Sequence, residues 1–481
     1  MPTRSIRHWS SESGLSGRRP GRTWTTCVSR ARRSSSPPTA PSSSVASAIA
    51  PYTSPTADWW PTQRCPKRSP PCAPHDKPRD RPTSPVSRNR LSAMSEAVPT
   101  PLFPRASAIP SDGVLLHVGV HKTGTTAIQA ALADARPDLL THGVRYPGKL
   151  QAQHRAALAL LGRPWGWNSR GGSVMDRRHF DALVRRSGKH EGRVVISSEF
   201  FCEAPEDKAK ETIEALGGSG KVTVLVTLRN LGKLLPSSWQ QYLKYGLTTP
   251  YEKWLEDVFA TPGSSKISPT FWRRHDHGEV LTRWATAVGA QNVNVLVLEG
   301  VDRSAQFHTF AQLLGVPEEV LVSRKDLTSN RSMTAAEAEL LVRLNKRVKK
   351  QMQWADYVRL VRRGVALRMV EGREPDPDEP ALVTPDWALD AAALEGSKSV
   401  QTIKELGVNV YGDLDALAVR VPSSKDQDTP ITDLPIDAAV AAVAAVIEAS
   451  KEEPTTRELA GRTWRQARKD GFSSLLRKTD S

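Results

Sequence analysis

Residues 113–129 read GVLLHVGVHKTGTTAIQ, and the fold follows from how this stretch divides. Val114 to Val118 is a short apolar run between two glycines, the pattern of a buried strand. Gly119 breaks it, and Val120, His121, Lys122 and Thr123 make a loop. Gly124, Thr125 and Thr126 then open a helix that runs through Ala127, Ile128 and Ala130 to Leu132. A strand, a glycine-bounded loop carrying a lysine, and a helix start carrying hydroxyls make an anion cradle. The free N–H groups of the first helical turn and the positive end of the helix dipole point at one spot.

Working outward, the same alternation recurs. Arg193–Glu199 is a short apolar strand that ends in two hydroxyls and a carboxylate. Lys221–Leu228 (KVTVLVTL) is the most strongly apolar run and ends in Arg229-Asn230, after which Leu234, Leu235, Trp239, Tyr242 and Leu243 repeat at helical spacing. Val293–Leu298 gives a fourth strand, between helices at Glu279–Val288 and Phe307–Leu314. Further helices are expected at Gln151–Leu161 and Asp176–Ser187, and His142–Gly148 reads as turn. Continuous apolar strands alternating with helices predict an α/β fold, a three-layer parallel sheet with helices on both faces. In such sheets ligands sit beyond the carboxyl ends of the strands, so the Lys122 loop, Glu199 and Arg229 are expected on one edge.

The loop is related to the nucleotide-triphosphate loop G-x-x-x-x-G-K-[ST] but departs from it. Gly119 and Gly124 have the required separation and Thr126 falls on the hydroxyl position, yet Thr125 stands where the lysine belongs. Lys122 lies two residues before the second glycine, so its ammonium approaches from another side. The run HKTGTT resembles the 5′-phosphosulfate loop of sulfotransferases that use 3′-phosphoadenosine 5′-phosphosulfate (PAPS). Arg229 at a strand end and Ser237 eight residues on resemble the 3′-phosphate motif of the same family, with Ser238 as the alternative in a slipped register. An Arg fork suits two phosphate oxygens. The resemblance spans about residues 113–320 and implies a P-loop-like sulfotransferase architecture. It implies transfer of a sulfuryl group from PAPS to a hydroxyl or amine of a small-molecule, glycan or glycolipid acceptor, with no metal. By that resemblance His121, Lys122, Thr123, Gly124, Thr125, Thr126, Arg229 and Ser237 hold the cofactor. Lys122 also acts in catalysis, and the general base, a His or a Glu in this family, is His154 or Glu199. Arg331 is a further candidate anion contact. Two other readings share these features: a P-loop kinase or other nucleotide-binding enzyme, and a non-catalytic nucleotide-binding protein on the same fold. Trp165, Trp167, Trp239 and Tyr242 are candidates for an aromatic acceptor platform, as well as for core positions.

The 481-residue chain has a formal net charge of +16, a balance that at first sight suggests nucleic acid. The excess is local: residues 1–93 carry 16 basic and 4 acidic side chains, leaving 51 and 47 in the remainder. That basic, Arg-, Ser- and Pro-rich stretch has the composition of disorder or of a misassigned start, with Met94 as the alternative, and no specific nucleic-acid partner is expected. Cys27, Cys65 and Cys72 lie in it, and Cys202 alone lies in the body, so no internal disulfide is expected and a reducing cytoplasm fits. No apolar stretch is long enough to span a membrane. The expected organisation is a disordered tail over 1–108, a sulfotransferase-like domain with a helical extension over 109–420, and a linker with C-terminal helices over 421–481. Within it, Thr334–Lys350 and Asp437–Ala449 are expected as helices, Arg373–Pro380 as a linker, and Pro385-Asp386-Trp387 as the start of one short helix.

Overall fold

The computed structural model of the chain describes residues 106–451, except 168–169, 262, 303, 325–330 and 425–430. The basic tail up to residue 105 and the last thirty residues lie outside the described residues.

The apolar runs become a six-stranded sheet: β1 (Val114–His117), β2 (Val144–Arg145), β3 (Arg193–Ser197), β4 (Val222–Leu228), β5 (Val293–Val297) and β6 (Asn409–Tyr411). Their order is β2-β3-β1-β4-β5-β6, and every neighbouring pair is parallel. Winding goes to one side of β1 and then, after β3, to the other, so the reversal falls at β1. The three central strands are in close register: His117 lies between Ser197 and Leu225. The segments following β1 and β3 therefore leave the sheet side by side, and β4 continues three residues further to Leu228.

Alternation along β1 divides the core. Val114 and Leu116 face a layer built by α2 (His154–Leu161), α3 (Arg178–Ser187), α4 (Glu206–Ala215) and α7 (His277–Val288). Leu115 faces the opposite layer, where α1 (Thr125–Asp134) brings Ile128 and Leu132 and α8 (Ala305–Leu314) brings Phe307 and Phe310. Leu115 and Leu116 are both fully buried, which stabilises each by roughly 1.5–3 kcal/mol relative to an exposed position. The expected three-layer α/β arrangement is thus what the chain forms, and a helical region follows it.

That region has a core of its own. Helix α5 (Leu231–Leu243) and α6 (Tyr251–Ala260) pack with α9 (Ala335–Val348), the π-helical segment Val358–Arg368 and part of α10 (Asp386–Leu406). The π segment is crossed by α11 (Ile436–Lys451), where Gly364 allows Ala445 and Ala449 to approach. Among the described residues, no helix is long and apolar enough to cross a membrane.

Three expectations are corrected. His142–Gly148 contains strand β2 as well as turn, because Val144 is drawn into pairing beside β3. A sixth strand, Asn409–Tyr411, extends the sheet beyond β5. Pro385 starts a helix of 21 residues rather than a short one. Its buried face is made of small residues such as Ala388, Ala392, Gly396 and Ser399, which leave little apolar periodicity to read.

Candidate active site

The loop after β1 is held open by its own backbone. Gly119, Lys122 and Gly124 have φ of 101°, 69° and 73°, and for Lys122 that left-handed geometry costs a non-glycine residue roughly 1–2 kcal/mol. Gly124 is the N-cap of α1 and has no side chain to offer the first-turn N–H groups. Thr123 fixes the loop from beneath, donating to the Val120 carbonyl at 2.8 Å while its hydroxyl meets that of Thr227 at 2.6 Å. Thr125 is buried at the helix start, and Gly124 and Thr126 are exposed. These features make a cradle with free donors and a glycine where a side chain would intrude.

Lys122 is half-buried and donates to Gln241 Oε1 at 3.0 Å. Burial and the Lys244 charge push its ammonium down to about 7. Arg274 and Arg362 add to the repulsion and Glu199 opposes it. Lys122 thus lies among the cations Lys244, Arg274 and Arg362, of which Arg274 is paired with Glu203, and a bound anion would relieve the remaining repulsion.

Glu199 stands on the neighbouring edge, where β3 turns into the 3-10 segment Glu199–Glu203. Gln129 of α1 donates to its Oε2 at 3.0 Å. His154, the first residue of α2, has Nδ1 3.6 Å from the same oxygen and 2.8 Å from Ser198 Oγ. Burial alone would raise the Glu199 carboxyl, but the histidines His154 and His121 and the Gln129 donor bring it down to about 2. Burial pushes His154 below the usual imidazole range against the pull of Glu199. At neutral pH the pair is therefore a carboxylate beside a neutral imidazole. The two residues that the sequence left as alternatives are partners in one pair.

His121 turns away from the loop mouth. It is buried, its Nε2 is 3.3 Å from Glu203, and its ring meets Phe200 edge-on. Glu203 is the residue that sequence reasoning missed: 1% exposed, it also receives Arg163 and Arg274, the latter at 2.9 Å. Its only sequence signal is its spacing of four from Glu199, and its arginine partners come from distant segments. Gln306 of α8 was missed as well. Its Oε1 is buried without a partner and lies 3.0 Å from where a Cβ on Gly124 would sit.

Arg229 leaves the end of β4 with its side chain 41% exposed and one ion pair, to Glu299 at 3.8 Å. Glu299 is held by Lys233 and by the Asn230 N–H, which leaves the Arg229 fork at the sheet edge. Ser237 is half-buried on α5 and donates to the Leu234 carbonyl at 3.0 Å. Ser238 is 2% exposed and bonded to His275, so of the two serines only Ser237 has access to solvent. Arg331 is committed elsewhere. All five of its N–H donors are used, on both Glu337 oxygens and the carbonyls of Ser332, Met369 and Arg373, so none remains for an anion.

The aromatic candidates divide too. Trp239 is buried with Nε1 donating to the Thr249 carbonyl, and the Arg274 guanidinium covers the Tyr242 ring at 5.5 Å. Trp167 packs against Trp354 and Tyr357. Trp165, held in a two-stranded ribbon with Ser173–Val174, borders an open cleft.

No protein-family model matches the chain. No curated protein matches it either. Among solved structures, the chain is similar to the crystal structure of a sulfotransferase from Alicyclobacillus acidocaldarius, at 18% sequence identity and a TM-score of 0.33. The match covers 43% of this chain and 81% of that one. A likeness of that size assigns no function.

Proposed function

We propose that the chain is a PAPS-dependent sulfotransferase. One observation supports the reading above others: adjacent parallel strands deliver the Lys122 cradle, the Glu199–His154 pair and the Arg229 fork to one edge of the sheet. The donor set suits a doubly anionic nucleotide. Lys122, the α1 N-terminus and the Thr125 and Thr126 hydroxyls would hold the 5′ end, and Arg229 with Ser237 the 3′-phosphate. Gln306, whose Oε1 is buried without a partner beside Gly124, would serve that ligand only by turning its Nε2 donor toward it.

PAPS supplies the sulfuryl group. The acceptor oxygen bonds to sulfur as the bond from sulfur to the phosphate oxygen breaks, and 3′,5′-diphosphoadenosine departs. The acceptor proton passes to the Glu199–His154 pair, where an ionised carboxylate beside a neutral imidazole can take it and stabilise the resulting charge. Lys122 balances the negative charge that grows on the leaving phosphate oxygen. The protein's contribution is otherwise alignment of the two reactants.

The test is calorimetric titration of 3′,5′-diphosphoadenosine into the full chain with EDTA present. Binding is expected without metal. Arg229→Ala and Lys122→Ala are each expected to weaken it by roughly 10- to 100-fold, the worth of a charge-assisted contact. A folded protein that does not bind the nucleotide would overturn the proposal.

A further inference from the structure

Helix α11 (Ile436–Lys451) is apolar on two opposite faces, and only one of them is covered. Ala438, Ala442, Ala445 and Ala449 are buried on the side that crosses the π segment at Gly364. At 100° per residue, Ile436, Val440, Val443 and Ile447 fall on the far side as one stripe, 82%, 61%, 60% and 52% exposed. Their spacing of four, three and four is that of a coiled-coil seam. A helix face turned to water ordinarily carries polar side chains. Here the two carboxylates of the helix are both drawn back to the body, Asp437 by Arg373 and Glu448 by Arg368. The third charge, Lys451, is at the last position. Arg359 also donates to the Ala449 carbonyl at 2.8 Å, so the body fixes which face points outward.

The stripe is symmetric as well as apolar. Residues 438–445 read AAVAAVAA, the same in both directions, and Ile436 and Ile447 stand equally far to either side. A two-fold interface requires a patch that complements itself. Laid antiparallel on a second copy about the point between Ala441 and Ala442, the stripe sets Ile436 against Ile447 and Val440 against Val443. Each large side chain then meets a large one and none is left over. Ala439 and Ala444 exchange places under the same two-fold, and such small flanking residues let helix axes approach to about 8 Å. Antiparallel pairing also sets the two helix dipoles head to tail. An unrelated partner would have no need of this symmetry.

We propose that α11 is a homodimerisation element that pairs antiparallel with α11 of a second copy of the chain. The seam is about three turns long and falls short of the roughly 800 Å² per partner of a standard interface, so association in the micromolar range is expected. Nothing in this pairing depends on the sulfotransferase reading.

Sedimentation equilibrium of the full chain between about 1 and 100 μM is the test. The wild-type chain is expected to pass from monomer to dimer across that range. Val440→Glu and Val443→Lys are each expected to weaken the dimer roughly 100-fold or more, because the two-fold sets the lone charge against valine twice. Both positions are exposed, so neither change is expected to lower the melting temperature of the monomer. Mixed in equal amounts, the two variants are expected to dimerise again, since the antiparallel register brings the new carboxylate onto the new ammonium and leaves valine on valine. A wild-type chain that stays monomeric at about 100 μM overturns the proposal and gives the face to another occupant. A dimer that Val440→Glu leaves intact overturns it too. Two monomeric variants that do not recover on mixing overturn the antiparallel register, and the proposal with it.

Discussion

Gly119 shows how closely the loop and the proposed base are built together. A Cβ at this position would lie 2.9 Å from both Cα and Cβ of Glu199, and the residue's φ of 101° is left-handed as well. A methyl group there would therefore push the carboxylate away from Gln129 and His154. Gly119→Ala should behave like a mild Glu199→Gln. Both, together with His154→Asn, should lower kcat for sulfuryl transfer, with the direct replacements costing roughly 10²- to 10⁴-fold. Binding of 3′,5′-diphosphoadenosine should change little. Single-turnover transfer measured beside nucleotide titration checks this, and a Gly119→Ala protein with full activity would refute the coupling. At this scale the sequence was legible where neighbours in the chain do the work: HKTGTT could be read as a cradle because its spacing is local. Glu203, Arg274, Lys244 and Arg362 could not be found that way, since their meaning comes from being brought to Lys122 and His121 by four different segments. Nor could the pairing of Glu199 with His154, 45 positions earlier, be separated from a choice between them.

Helix α9 shows the same limit for a whole element. Its apolar spacing predicts the helix, and Thr334 with Glu337 supplies a capping box at its start. The structure adds that Glu337 is fully buried and receives two arginines, Arg331 at 2.7 Å and Arg373 at 3.0 Å. Arg373 also reaches Glu379 and Asp437, tying the segment before α10 and the start of α11 to α9. The Arg373–Pro380 stretch, which reads as a linker, is thus a clamp. Loss of the cap hydroxyl in Thr334→Ala should cost about 1 kcal/mol. Glu337→Ala should cost more, because it removes the capping-box carboxylate and the ion pair of the half-buried Arg331 together, while Arg373 keeps Glu379 and Asp437. Urea unfolding distinguishes them, and equal midpoints for the two variants would show that the network contributes nothing beyond the cap. The strands legible in the sequence were those with continuous apolar runs, β1, β3, β4 and β5. The two- and three-residue strands β2 and β6 are too short to leave a pattern and are formed by the sheet they join.

For the molecule as a whole, burial of neutral histidines sets an acid limit on stability. His117, inside the sheet, has its ring between Ser197 at 2.8 Å and Thr227 at 3.3 Å. His277 opens α7, 2% exposed, with Nε2 lacking a partner. Burial pushes both imidazoles down to about 4 and pushes His121, His154 and His275 down as well. The unfolded chain protonates these rings near 6.5, so between that pH and about 4 it binds more protons than the folded one. Stability is then complete above pH 6.5 and falls as pH drops through the window, by up to roughly 3 kcal/mol for each of His117 and His277. The carboxylates of Glu199 and Glu203, held below their ordinary range, add their own loss only below about 4.5. Melting temperature should therefore decline steadily between pH 6.5 and 4.5, before the carboxylates contribute. His277→Asn should flatten that decline without abolishing it, since it removes one titrating ring and leaves the others. A melting temperature constant from pH 7.5 to 4.5 would mean that these rings are hydrated in solution, and with it the packing of His117 between β3 and β4 would have to be revised.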